Sequence, residues 1–205
     1  MTDIARLKIT LDHVKPPVLR HIEVPIAIRL DDLLLVFQVA VGWENCHLFE
    51  FRVGDTSWGI PDPDEVLPDD PLPAKNTTLA VLLDAAGTSF QYAYDFGDGW
   101  EHTVTLEAIG PAAAETTYPR LVAAEGRCPP EDVGGPWGYD EYLKAIRNPR
   151  HKRHVEMVQW RGPGFDPAVV DTHAIGRELA AFAKRLSRRK TKPRAKSGSR
   201  ARRES

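Results

Sequence analysis

Apolar and polar positions alternate over residues 4–12, placing Leu7, Ile9 and Leu11 on one side and predicting a first strand. Pro16-Pro17 makes a turn, and a second strand follows from Val18 to Pro25. Its inward set is Val18, Arg20, Ile22 and Val24, so a guanidinium stands among apolar neighbours. Such a group needs a carboxylate or several carbonyls, unless it snorkels at the sheet edge. The period then becomes helical. Leu33, Val36, Phe37, Ala40 and Val41 form one stripe, with Asp31 or Asp32 as the opening cap and Gly42 as the stop. Cys46 to Val53 returns to strand spacing, with His47, Phe49, Phe51 and Val53 on one side. Residues 54–73 hold five prolines and six acids and read as a surface loop. Thr77 or Thr78 caps a short helix over Leu79 to Ala86, closed by Gly87.

The segment Phe90 to His102 reads as a hairpin. Phe90, Tyr92, Tyr94 and Phe96 share one face before its turn; Trp100, His102, Val104 and Leu106 share one after it. A three-residue loop, Gly97-Asp98-Gly99, brings those faces together, with Gly99 supplying a positive φ. In that register Tyr94 faces His102, Phe96 and Trp100 close the loop, and Asp95 faces Glu101 with Asp98 close by. Opposed like charges are unfavourable, so a cation, a basic partner or open solvent must relieve them. Residues 110–137 look irregular. Asp140 to Arg147 reads as a short helix, and Asn148-Pro149 opens another bearing His151, His154, Met157, Val158 and Trp160. Asp166-Pro167 opens a last helical stretch with Val170, Ile175, Leu179 and Phe182 inward. The order predicts an α+β fold over residues 4–183: a mostly antiparallel sheet with helices packed on one face.

Composition adds a boundary and a compartment. The net charge of −2 hides an asymmetry: residues 184–205 contain eleven Lys/Arg and one acid, leaving 16 basic and 28 acidic residues in the body. A tail of this kind is expected to be disordered. It either solubilises the acidic body or touches nucleic acid nonspecifically, through residues such as Arg188, Arg189, Lys190, Lys192 and Arg194. No apolar run is long enough to span a membrane, and the start lacks a signal-peptide pattern, so a cytoplasmic protein without a membrane partner is expected. Cys46 and Cys128 then read as free thiols.

Candidate chemistry gathers around the hairpin and the run Cys128-Pro-Pro-Glu131-Asp132. His47, His102 and Cys128 are soft or borderline ligands, and His151 and His154 share a helical face among cations that would repel a metal. None has a recognised zinc spacing, so neither a metal nor a cofactor is assigned. Asp95, Asp98 and Glu101 are the right donors for a hard cation, or else turn formers. If the Cys128 run folds back over the hairpin, Asp95, Glu101, His102, Glu131 and Asp132 share a cleft fit for acid–base work. Cys128 as a nucleophile would need a histidine beside it. The competing reading makes His102 a core residue bonded to Tyr94, and the Pro/Gly-rich run a rigid loop. The candidate cluster is therefore Arg20, Tyr94, Asp95, Asp98, Glu101, His102, Cys128, Glu131 and Asp132.

Five ordered segments carry a family resemblance. They are Leu7-Lys-Ile-Thr-Leu11 with Pro17 to Pro25; Leu33 to Trp43 with His47-Leu-Phe-Glu-Phe51; Tyr92 to His102, continuing to Glu107; Cys128 to Gly135 with Gly138-Tyr139; and, more weakly, Trp160 with Phe165-Asp-Pro167. In these the chain resembles the plasmid pRiA4b ORF-3-like family, also labelled as insertion-element passenger proteins of TnpR type. Leu19 stands where that family usually shows tryptophan. The resemblance implies an uncharacterised accessory or binding protein of plasmids and mobile elements, with an unknown protein or nucleic-acid partner and no demonstrated catalysis. Serine-resolvase chemistry finds no support, since no serine precedes Ser57. The alternatives are a metal-dependent or acid–base hydrolytic enzyme built on residues 95–102 and 128–132, and nucleic-acid association through the tail.

Overall fold

Alternation along the strands produces one sheet in the computed structural model, which describes residues 2–62 and 70–191. Strands β1 (Asp3–Leu11), β2 (Val18–Pro25), β3 (Phe49–Val53), β4 (Thr56–Gly59), β5 (Leu72–Pro73), β6 (Ser89–Tyr94), β7 (Trp100–Pro111) and β8 (Arg120–Glu125) lie in the order β5-β4-β3-β6-β7-β1-β2-β8. Every pairing is antiparallel except β4 with β5. One face is apolar, with Leu7, Ile9, Ile22, Phe51, Tyr92, Trp100 and Val104 buried. Lys8, Thr10, Gln91, Thr103 and Thr105 stand on the other face, which is polar and partly open. Helices α1 (Leu30–Val41), α2 (Leu79–Ala86), α3 (Gly135–Arg147), α4 (His154–Arg161) and α5 (Thr172–Thr191) supply the rest of the core. The architecture is the α+β fold expected, a mostly antiparallel sheet with helices against it. Among the described residues no helix is long and apolar enough to cross a membrane.

Several boundaries move. The cap of α1 is Arg29, which has extended backbone; Asp31 and Asp32 lie in the first turn, where their charge suits the helix N-terminus and pairs with Arg29. Residues 54–73 are not a plain loop. A two-residue Gly54-Asp55 turn pairs Val53 with Thr56 and leads into β4, whose Trp58 is buried. Residues 110–137 hold β8, an edge strand paired with β2, and α3 starts at Gly135, five residues before Asp140. Helix α5 runs to Thr191, so the boundary placed at 183/184 falls inside a helix. Lys184, Arg185 and Arg188 are exposed on it, and Arg189 and Lys190 continue its backbone. Lys192 and Arg194, with the disorder expected for 192–205, lie outside the described residues.

The hairpin differs by two residues from the predicted register. Tyr94 pairs with Trp100, Tyr92 with His102 and Ala93 with Glu101. The cause is Asp95, which leaves the strand with φ 54°. Its Oδ1 accepts bonds from the Gly97 and Asp98 amides at 3.1 and 3.2 Å, and its carbonyl accepts one from Gly99 N at 2.6 Å. The loop thus has five residues, Asp95 to Gly99, and Phe96 is 57% exposed instead of closing it. A slip of two preserves side-chain parity, so Tyr94, Trp100 and His102 still share the buried face.

Candidate metal centre

Three loops meet at the open end of β6. The first leaves α1 at Gly42, whose left-handed backbone (φ 86°) turns the chain toward β3. Trp43 from this loop stacks on Tyr94 with ring centroids 5.2 Å apart, and its Nε1 donates to the Pro129 carbonyl at 2.9 Å. Cys46 and His47 then run past the tip of Tyr94, because Phe49 pairs with Tyr94 in the sheet. The second loop is the Asp95–Gly99 turn. The third is Cys128 to Gly135, held against the hairpin tip by Gly134 N donating to Asp98 Oδ2 at 3.0 Å. A Cβ on Gly135 would lie 2.1 Å from the Asp98 carbonyl, so only glycine permits that approach.

These loops assemble a polar network around buried Glu131. The Tyr94 hydroxyl donates to Glu131 Oε1 at 2.7 Å and accepts from the Cys46 and His47 amides at 3.0 and 3.4 Å. Burial, reinforced by the bond to Glu131, pushes the Tyr94 phenol up, so it remains a donor. Glu44 N donates to Glu131 Oε2 at 2.7 Å, and the Cys46 thiol, itself raised by desolvation and by Glu131, lies 3.7 Å from Oε1.

His47 faces two carboxylates. Its Nε2 is shielded from solvent and makes no hydrogen bond, yet it stands 3.4 Å from Asp95 Oδ2 and 3.2 Å from Asp132 Oδ1. Donor atoms of His47, Asp95 and Asp132 all lie within 4.8 Å of one another, and so do those of Cys46, His47 and Glu131. Donors around a tetrahedral ion with bonds of about 2.1 Å stand about 3.4 Å apart, close to the two distances from His47. One imidazole and two carboxylates suit a divalent transition ion, and Cys46 with Glu131 forms a second, softer donor group that shares only His47 with the first.

The remaining candidates go elsewhere. Glu101 pairs with Arg52 on β3, so Asp95, Asp98 and Glu101 do not form one acid cluster. His102 is fully buried, bonded through Nδ1 to the Tyr92 carbonyl at 3.1 Å instead of to the Tyr94 hydroxyl. Burial lowers its pKa to about 4 from an ordinary 6.5, the Tyr92 carbonyl opposing. The unfolded chain therefore takes up a proton between pH 6.5 and 4 that the folded chain refuses. Stability present above pH 6.5 should be lost over that window, by about 3 kcal/mol at most. Chemical denaturation of wild type and His102→Phe across that range checks it, and parallel curves would refute it.

Cys128 is buried, with its thiol pushed up to about 11 by desolvation against the pull of Arg20. Arg20 is 1% exposed and does not snorkel. Its Nε donates to the Ala40 carbonyl at 2.6 Å, and Nη1 to the carbonyls of Leu19, Glu125 and Gly126 at 2.7, 2.9 and 3.0 Å. Its Nη2 lies 3.4 Å from Cys128 Sγ. Of the predicted cluster, Tyr94, Asp95, Glu131 and Asp132 come together, Asp98 fastens the loops, and Arg20, Glu101, His102 and Cys128 make their contacts elsewhere. Cys46 and His47 are the members that sequence spacing left out. Pairing β3 with β6 would have found them, since it sets Phe49 opposite Tyr94 and so brings the residues just before β3 to the Asp95 end of β6.

A single mostly antiparallel sheet with a polar centre clasped between a hairpin tip and a glycine-rich loop defines the class. The chain belongs to the plasmid pRiA4b ORF-3-like family, which it matches over residues 3–174. Uncharacterized protein y4hQ of Sinorhizobium fredii (strain NBRC 101917 / NGR234) is 45% identical over 196 residues, covering 93% of this chain and all of that protein. The crystal structure of MM3350, a protein of unknown function from Methanosarcina mazei Go1, superposes with a TM-score of 0.74 at 30% identity. It covers 84% of this chain and 97% of its own. The names of these relatives assign no catalytic function.

Proposed function

We propose that this protein is a divalent-metal-binding accessory protein whose ion is held by His47, Asp95 and Asp132. The observation that carries the reading is His47 Nε2, shielded and without a hydrogen bond, set at inter-ligand spacing from two carboxylate oxygens. Three protein donors leave coordination positions open, the arrangement of sites that polarise a water or a carbonyl, so metal-assisted hydrolysis is the reaction class it suits. Glu131 and Tyr94 stand beside it as hydrogen-bonding groups. Calorimetric titration with zinc and manganese is expected to show one ion per chain. Absence of heat with either ion at millimolar concentration sinks the reading.

A second reading concerns partners. The basic run beginning at Lys184 starts on the exposed side of α5, and its cations suit nonspecific contact with nucleic acid in the cytoplasm, in keeping with an accessory role in a plasmid or mobile element. A chain ending at Thr191 should lose much of any DNA affinity, and binding by the full chain should weaken steeply with salt. Equal binding by both chains would refute it.

A further inference from the structure

A second cleft of about 590 Å³, which shares Trp43, Glu44 and Glu131 with the polar network, opens between the end of α1, the segment after β8, the end of α4 and the start of α5. Three guanidinium groups line it, held by backbone carbonyls or aromatic rings. Arg20 is held by carbonyls; Arg127 lies over the Phe165 ring at 4.7 Å; Arg161 lies over Trp160 at 4.5 Å and donates to the Glu131 carbonyl at 2.5 Å. Among the described residues none of the three pairs with a carboxylate. Glu44, Asp171 and Glu178 also line the cleft, and among the described residues none of them pairs with a cation. Arg127, Arg161, Glu44 and Glu178 are exposed.

Opposite charges that share a cleft without meeting call for an occupant that carries both. Charge-assisted hydrogen bonds to a carboxylate are what guanidinium groups form best. The acids would take an ammonium. The volume falls in the range of small-molecule sites, about 300–1,000 Å³. We propose that this cleft binds a small zwitterion of the amino-acid or short-peptide class, its carboxylate toward Arg127 and Arg161 and its ammonium toward Glu44 and Glu178. The proposal does not rest on the metal centre.

The test is titration of the full chain with Ala-Ala-Ala bearing free ends, with the same tripeptide acetylated and amidated, and with orthophosphate. The free-ended peptide should bind saturably. Blocking both ends, or introducing Arg127→Ala or Glu178→Gln at these exposed positions, should weaken it at least about tenfold, the size expected for a lost charged hydrogen bond. His47→Ala should leave peptide binding intact. No binding of the free peptide at millimolar concentration overturns the proposal, as does equal binding of the blocked one. Orthophosphate binding as tightly, with Glu178→Gln without effect, would make this a plain anion site and also overturn it. Loss of peptide binding in His47→Ala would move the ligand to the metal centre.

Discussion

Arg20→Leu is expected to lower the unfolding free energy by about 3–5 kcal/mol, the range for breaking a buried, hydrogen-bonded charge network. The guanidinium joins four parts of the fold. It bonds its own strand at Leu19, the end of β8 at Glu125 and Gly126, the last turn of α1 at Ala40, and Cys128 in the glycine-rich loop. Ala40 supplies a carbonyl that the helix C-terminus cannot bond within itself, and a cation suits that end of the dipole. Leucine fills part of the volume and removes the buried bonds to Ala40, Gly126 and Cys128. Arg20→Lys should recover only part of the loss, because an ammonium has three donors and no planar fork. Urea unfolding measures both. A loss below about 1 kcal/mol for Arg20→Leu, typical of a surface change, would contradict this account.

His47→Ala is expected to weaken zinc or manganese binding by more than about a hundredfold. Removing groups that merely orient ligands typically costs metal affinity 10–100-fold, and a direct donor should cost more. Asp132→Asn should follow in the same direction, while Glu101→Gln, bound to Arg52 away from the centre, should change nothing. Equal affinity in wild type and His47→Ala would place any bound ion elsewhere.

What the sequence revealed depended on how local its signal was. Strands β1, β2, β6 and β7 alternate apolar and polar residues because one sheet face is covered, and α1 shows its stripe for the same reason. Strand β8 has no such pattern: none of its six residues is buried, and its place at the edge comes from backbone pairing with β2. The hairpin parity was legible and its register was not, since Asp95 spends its side chain on the loop. At the centre, Tyr94, Asp95, Glu131 and Asp132 were chosen on chemistry and do meet. His47 was legible as a possible ligand but its place was not, and Cys46 was read only as a free thiol, because nothing local reports that β3 lies beside β6. His102 and Cys128 were chosen for reactive atoms, and both are buried in the core.

Asn45, Asp95 and Asp132, one from each loop around the centre, have φ of 58°, 54° and 60°. Left-handed backbone costs an ordinary L-residue roughly 1–2 kcal/mol, less for Asn and Asp, and glycine would remove that penalty. Two of the three instead carry carboxylates that face His47. Selection for stability and selection for ligation therefore pull in opposite directions at these positions: glycine would relax the backbone and delete a donor. The rest of the fold, with Arg20 at its junction, supplies the rigidity that lets the chain keep such residues where a more comfortable loop would have none.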